Sequence, residues 1–176
     1  MRHPKALYAI AAVLLTVPGG LAFAAGAGPS DAQIAHIAYT AGDLDIKAAE
    51  LALEKSQSKT VRAFADDMVR DHKAVNDKAL ALVKKLNVSP EDNDTSKSLV
   101  KDADEKRAHL ATLSGAAFDK AYVENEVAYH KAVNGALETT LIPSSDNGEL
   151  KSLLETGLKI FQGHLKHAEH LAGSLK

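Results

Sequence analysis

Apolar residues spaced alternately three and four apart recur in four long stretches of this chain, and each stretch predicts a helix with one buried face. The first runs from about Ser30 or Asp31, either of which can cap it, to about Ser56, with Ile37, Ala41, Leu44, Ala48 and Leu51 in line. The second runs from about Lys59 to Leu86, with Val61, Ala65, Met68, Val75, Ala79 and Leu82. The third runs from about Ala116 to Leu141, with Val123, Val127, Leu137 and Leu141. The fourth runs from about Glu149 to Leu171, with Leu150, Leu154, Phe161 and Ala168. A shorter, densely charged segment from Thr95 to Leu113 lies between the second and third. No stretch alternates with the period of a strand.

The breaks fix the topology. "SQSK" is short, so the first two helices are antiparallel; "IPSSDNG" does the same for the last two. The long connection allows the second and third helices to run parallel. The expectation is an all-α, ferritin-like four-helix bundle with a short crossover helix.

Polar residues interrupt the stripes at particular places. His72, His130 and His164 each fall in line with apolar neighbours, on three different helices. Asp45 lies on a neighbouring line of the first helix, among alanines, and Glu126 sits one turn before His130 on nearly the same face. The run "HLKHAEH" looks like a three-histidine clamp, but residues three apart on a helix differ by about 60° in direction. If His164 faces inward, His167 is at the rim and His170 outside. His36 and His109 read as surface histidines.

Loop positions say whether the inward groups can meet. With the first turn centred near residue 57 or 58, His72 is level with Asp43, about two residues from Asp45. With the last turn centred near 144, the backbones of His130 and His164 are offset by about six residues, ~9 Å. Both side chains lean toward their own helix N-termini and so into the gap between them, where Glu126 falls.

Histidines with one or two carboxylates suit a single Zn, Cu, Fe or Mn ion. The predicted metal set is Asp45, His72, Glu126, His130 and His164. Ferritin-type di-iron chemistry needs Glu-x-x-His. The residues three before the inward histidines are Val69, Val127 and Phe161, so that chemistry is disfavoured. Few aromatics disfavour a haem held by Met68. The alternative is a metal-free polar network in which the histidines bond Asp45, Glu126 and Tyr122; every member would then need a partner. No Ser-His-Asp arrangement, phosphate loop or nucleotide fingerprint is present, so no catalytic residues are assigned.

Composition narrows the setting. The 176 residues suit one domain and contain no cysteine, which excludes disulfides, thiolate metal sites and a lipidated N-terminal cysteine. The start has the three parts of a secretory signal peptide: Arg2 and Lys5, an apolar run from Ala6 to Val17, and Ala22 and Ala24 before the expected cut. The predicted organisation is a signal peptide over 1–24, a linker over 25–30 and the bundle over 31–175, in the periplasm. Losing Arg2 and Lys5 takes the formal charge from −2 to −4, which argues against nucleic acid as a partner. No later segment is apolar enough to span a membrane.

"VRAFADDMVRDHKAVNDKALAL" (Val61–Leu82), "FDKAYVENEVAYHKAV" (Phe118–Val133) and "FQGHLKHAEHL" (Phe161–Leu171) resemble family 4142 of the domains of unknown function. The shared features are Asp71–His72, the Phe-Asp-x-x-Tyr of Phe118, Asp119 and Tyr122, and the histidines His130 and His164. The first helix of that family usually carries Glu where this chain has Asp45. The resemblance covers about Asp31 to Leu171. It implies a bacterial exported protein with a ferritin-like fold and no settled reaction. Two functions follow as expectations: metal handling or stress protection through the inward cluster, or a non-catalytic envelope-stress bundle that binds a protein partner through the charged crossover, Lys101 to His109.

Overall fold

The computed structural model describes residues 28–175. The expected leader over 1–24, with its cut after Ala24, lies outside the described residues. The bundle is built from α1 (Asp31–Lys55), α2 (Lys59–Lys85), α4 (Gly115–Ala136) and α6 (Gly148–Ser174), with α3 (Asp94–Ala111) as the crossover. A five-residue π-turn, Leu137–Leu141, and a single short turn, α5 (Ile142–Ser144), prolong α4. Among the described residues there is no strand, and no helix is long and apolar enough to cross a membrane.

Local chemistry sets the starts. The Ser30 hydroxyl accepts from the Gln33 amide while the Gln33 side chain accepts from the Ser30 amide, closing a capping box. Ser58 caps α2, Asn93 caps α3, and Asn147 accepts from the amides of Glu149 and Leu150. The tight exit from α2 places Asn87 at φ 52°, a left-handed conformation that Asn tolerates.

One difference from the sequence reading moves the site. "IPSSDNG" reads as loop from Ile142, yet the helix carries on to Ser144. The π-turn is closed by the Ile142 amide donating to the Leu137 carbonyl and keeps both Leu137 and Leu141 buried. Pro143 falls in the first turn of α5, where its missing N–H is tolerated. Only Ser145 to Asn147 then separate α5 from α6. The turn centre shifts about two residues along, and the expected offset of His130 from His164 shrinks to about two residues, ~3 Å along the axis.

Asp31, in the first turn of α1, holds this last connection. Its carboxylate accepts from the Ser145 hydroxyl (3.1 Å) and from the amides of Asp146 (3.1 Å) and Asn147 (2.9 Å).

The interior has three layers along the bundle axis. One apolar cluster holds Ala49, Phe64, Met68, Phe118, Tyr122, Val123 and Leu171. The other holds Ile34, Ile37, Leu137, Leu150, Leu154 and Phe161. Each of the four long helices places a buried polar residue between the two clusters: Asp45, His72, Glu126 with His130, and His164. On α4 the buried line runs through Glu126, which is fully buried, rather than through Val127, which is half-buried.

α1 and α2 approach closely at Gly42. A Cβ there would stand 3.0 Å from the Asn76 Cγ, and closer still to its Oδ1. Asn76 is buried and donates to the Tyr39 carbonyl at 3.3 Å. Gly42→Ala gains about 1 kcal/mol of helix propensity but displaces this amide, which leaves a buried polar group unpaired at about 1–3 kcal/mol. The expected net loss is about 1 kcal/mol in urea unfolding. Adding Asn76→Ala removes the obstacle, so Gly42→Ala on that background is neutral or stabilising.

Candidate metal centre

The five polar residues of the middle layer converge. The imidazoles of His72, His130 and His164 have ring centroids 5.3–5.7 Å apart. One ligand atom from each of these three lies within 4.8 Å of the others, and the same holds for Asp45, Glu126 and His130. His130 is common to both groups. All five predicted site residues therefore share one buried space, between 0% and 7% exposed. His167 and His170 are exposed, as the helical geometry of "HLKHAEH" requires, and His109 is exposed as well.

The ring nitrogens are orientated from behind. Nδ1 of His130 lies 3.0 Å from the Glu126 carbonyl oxygen, which fixes the proton on Nδ1 and leaves the Nε2 lone pair facing inward. Nε2 of His164 lies 3.0 Å from Oδ2 of Asp71, and Asp71 in turn accepts from Nε of Arg70 at 2.8 Å. This arrangement leaves Nδ1 of His164 free. His72 is held by stacking on Phe161, with centroids 4.4 Å apart and planes 5° from parallel.

The inward atoms do not satisfy one another. Nε2 of His72 and Oδ2 of Asp45 are 2.6 Å apart, and Nε2 of His130 is 3.5 Å from the same oxygen. Neither contact has the alignment of a hydrogen bond. Both nitrogens of His72, Nε2 of His130, Nδ1 of His164, both oxygens of Asp45 and Oε2 of Glu126 have no hydrogen-bond partner in the protein. The Tyr122 hydroxyl, also buried, has none either. Seven unpaired nitrogen and oxygen atoms in one buried space are costly, at about 1–3 kcal/mol for each neutral group, unless a cation draws on them together. The residues present fit a divalent transition-metal ion: neutral imidazole nitrogens, one or two carboxylates, and partners behind the ligands.

Protonation suits that use. Burial pushes His130 down to about 4 against the pull of Asp45, and burial also lowers His164 against its bond to Asp71. Both rings are neutral at pH 7, the form that ligates. Burial raises Asp45, but the attraction of the His72 imidazole 2.6 Å away and of His130 outweighs it and holds Asp45 well below the usual carboxylate range. Burial and the Asp45 charge push Glu126 well above its ordinary value. The two carboxyl groups of the layer are thus shifted in opposite directions.

These shifts predict opposed pH slopes in the metal-free protein. A histidine that protonates at about 6.5 when unfolded and about 4 when folded stabilises fully above 6.5, and that contribution is lost as pH falls toward 4. Glu126, raised when folded, stabilises below its unfolded value and loses that contribution as pH rises. The two contributions oppose one another in the wild type between pH 7 and 5. Glu126→Gln exposes the histidine slope, a loss of about 2 kcal/mol from pH 7 to 5. His130→Gln exposes the reverse slope. Urea unfolding of chelator-treated protein at both pH values checks this.

Asp71 stands outside the set read from the sequence, although its pairing in sequence with His72 is a feature of the resemblance. Its neighbour His72 points about 100° away, so the two form no pair on their own helix. The partner of Asp71 is on α6, and only the packing of α2 against α6 brings them together.

A family model described as a domain of unknown function (DUF4142) matches residues 18–171. No curated protein matches the chain. Among solved structures, a DUF305 fragment from Deinococcus radiodurans superposes with a TM-score of 0.73 at 18% identity, covering 85% of this chain and 99% of its own. A DUF305 protein of Streptomyces coelicolor, a secreted-protein candidate, gives 0.68 at 12% identity, covering 82% and 92%. CopM in its Cu(II)-bound form gives 0.63 at 15% identity, covering 84% and 100%. At these identities the likeness is one of fold.

Proposed function

The chain belongs to the DUF4142 family, and from that premise and its middle layer we propose that it is an exported metal-handling protein that holds one divalent transition-metal ion between its four long helices. The ligands come from His72, His130, His164, Asp45 and Glu126. The observation that carries this reading is the set of unpaired inward atoms in the space those residues share. Neutral imidazoles with carboxylate favour Cu(II) and Zn(II) over Fe(II) and Mn(II) in the general affinity order. The likeness in fold to CopM, solved with Cu(II), lends support. Export rests on the leader pattern over residues 1–24, with the cut after Ala24 placing the mature chain in the periplasm. In such a site the ion supplies charge to the carboxylates and an acceptor for three lone pairs, while Asp71, the Glu126 carbonyl and Phe161 keep the rings in place.

The other reading, a metal-free bundle that binds a partner through the exposed charged face of α3, requires a self-satisfied polar core. Asp45, Glu126, Tyr122 and the histidines do not meet that requirement.

Elemental analysis of protein purified without a histidine tag decides between them. We expect close to one equivalent of metal in the wild type and less than a tenth of that in His72→Ala/His164→Ala. Equal and negligible metal in both rejects the proposal.

A further inference from the structure

The buried centre needs a way in, and two cavities touch it. The smaller, roughly 60 Å³, reaches His72 and His130 from the side of Ile37, Leu141, Leu154 and Phe161. Its walls are almost wholly apolar. A hydrated cation passing there would shed water against groups that cannot replace it. The larger, about 440 Å³, lies under α3, between that helix and α1 and α4. Asp45 and Glu126 are at its floor, and Asp94, Ser98, Asp102 and Asn125 supply oxygens along its walls.

We propose that this cavity is the route by which the ion reaches the centre: a hydrated divalent cation collects under α3, exchanges water for wall oxygens, and passes to the histidines through Asp45 and Glu126. The inference rests on the metal-handling reading and deepens it.

The roof is built to part. α3 buries only Ser96 and Leu110, which lie near its two ends. Near the first end, the Glu91 amide donates to the Ala32 carbonyl (3.0 Å); at the second, Lys55 donates to the Ala111 carbonyl (2.7 Å). Between those anchors no residue of α3 is fully buried, and its middle is held chiefly by half-buried Leu99 against the second apolar cluster. The floor is closed at rest, because Glu126 is 0% exposed and Asp45 2%. An ion therefore passes only when the Asp45 and Glu126 side chains, or the stretch of α3 above them, move aside. Lys106 and Arg107 face the cavity from the C-terminal half of the helix. Arg107 is paired with Asp104 at 2.8 Å, so the cation-attracting end is that of Asp94 and Asp102.

The test is the rate of loading of chelator-stripped, untagged protein with Zn(II) or Cu(II), and the rate of release to excess chelator. Ala103→Trp fills the cavity from the half-buried face of α3. It is expected to slow loading and release by the same factor, at least about ten-fold, with stoichiometry unchanged. Asp102→Asn, an exposed change that leaves the core alone, is expected to slow loading about two- to three-fold at low salt, the difference vanishing at high salt. If Ala103→Trp fails to fold, the salt-dependent rate of Asp102→Asn decides alone. Loading of both variants at the wild-type rate, with the wild-type salt dependence, overturns the route and leaves the metal centre standing. A wild type that takes up no ion overturns both.

Discussion

Saturating the protein with a divalent transition-metal ion is expected to raise its unfolding free energy by about 4 kcal/mol when the free ion stands at a thousand times its dissociation constant. Asp45→Ala should remove most of that gain. Asp45 is the group that lies near both His72 (2.6 Å) and His130 (3.5 Å), and it is the carboxylate that remains ionised in the layer. Its loss removes from the layer the carboxylate held in its ionised form, leaving the three rings and Glu126, whose carboxyl is pushed toward its neutral form, to meet a doubly charged ion. An affinity loss of about a hundred-fold cuts the stabilisation at the same free ion to about 1.4 kcal/mol. Urea unfolding of each protein with and without ion measures this, because the comparison within one variant cancels whatever the substitution does to the metal-free fold. An ion-dependent gain that survives intact in Asp45→Ala would remove Asp45 from the ligand set.

The second large effect is expected at Phe161. Its ring is 8% exposed, stacks on His72 and belongs to the apolar cluster of Leu150 and Leu154. Phe161→Ala is expected to cost about 3–5 kcal/mol in the metal-free protein, the usual range for emptying a buried phenyl site. It should also cost affinity, because the free ring of His72 must then be ordered by the ion itself. Phe161→Leu restores much of the volume but not the stack. It should recover most of the stability and less of the affinity. If both variants bind as tightly as the wild type, the stack has no part in placing His72.

The stripes on the four long helices were readable because burial on a helix recurs with its turn, and a histidine or aspartate inside such a stripe stands out. Asp45, His72, His130 and His164 were found in that way. Glu126 was found only by its nearness to His130, since Val127 fits the apolar spacing better and the choice between them depends on what faces the third long helix. Asp71 was beyond local reading: its role exists only where α2 and α6 touch. The continuation of α4 through Ser144 was hidden too. Ile-Pro-Ser-Ser reads as a stop by local preference, and it is the burial of Leu137 and Leu141 against α1 and α6 that favours the widened turn. The leader over residues 1–24 remains a sequence expectation.

The clamp at Asp31 has a consequence for how the molecule is made. The opening turn of the first helix binds backbone that is synthesised more than a hundred residues later. Any N-terminal fragment that stops short of Ser145 lacks that tie, and without α6 it also lacks one wall of the middle layer. The middle layer is therefore complete only once α6 has been made.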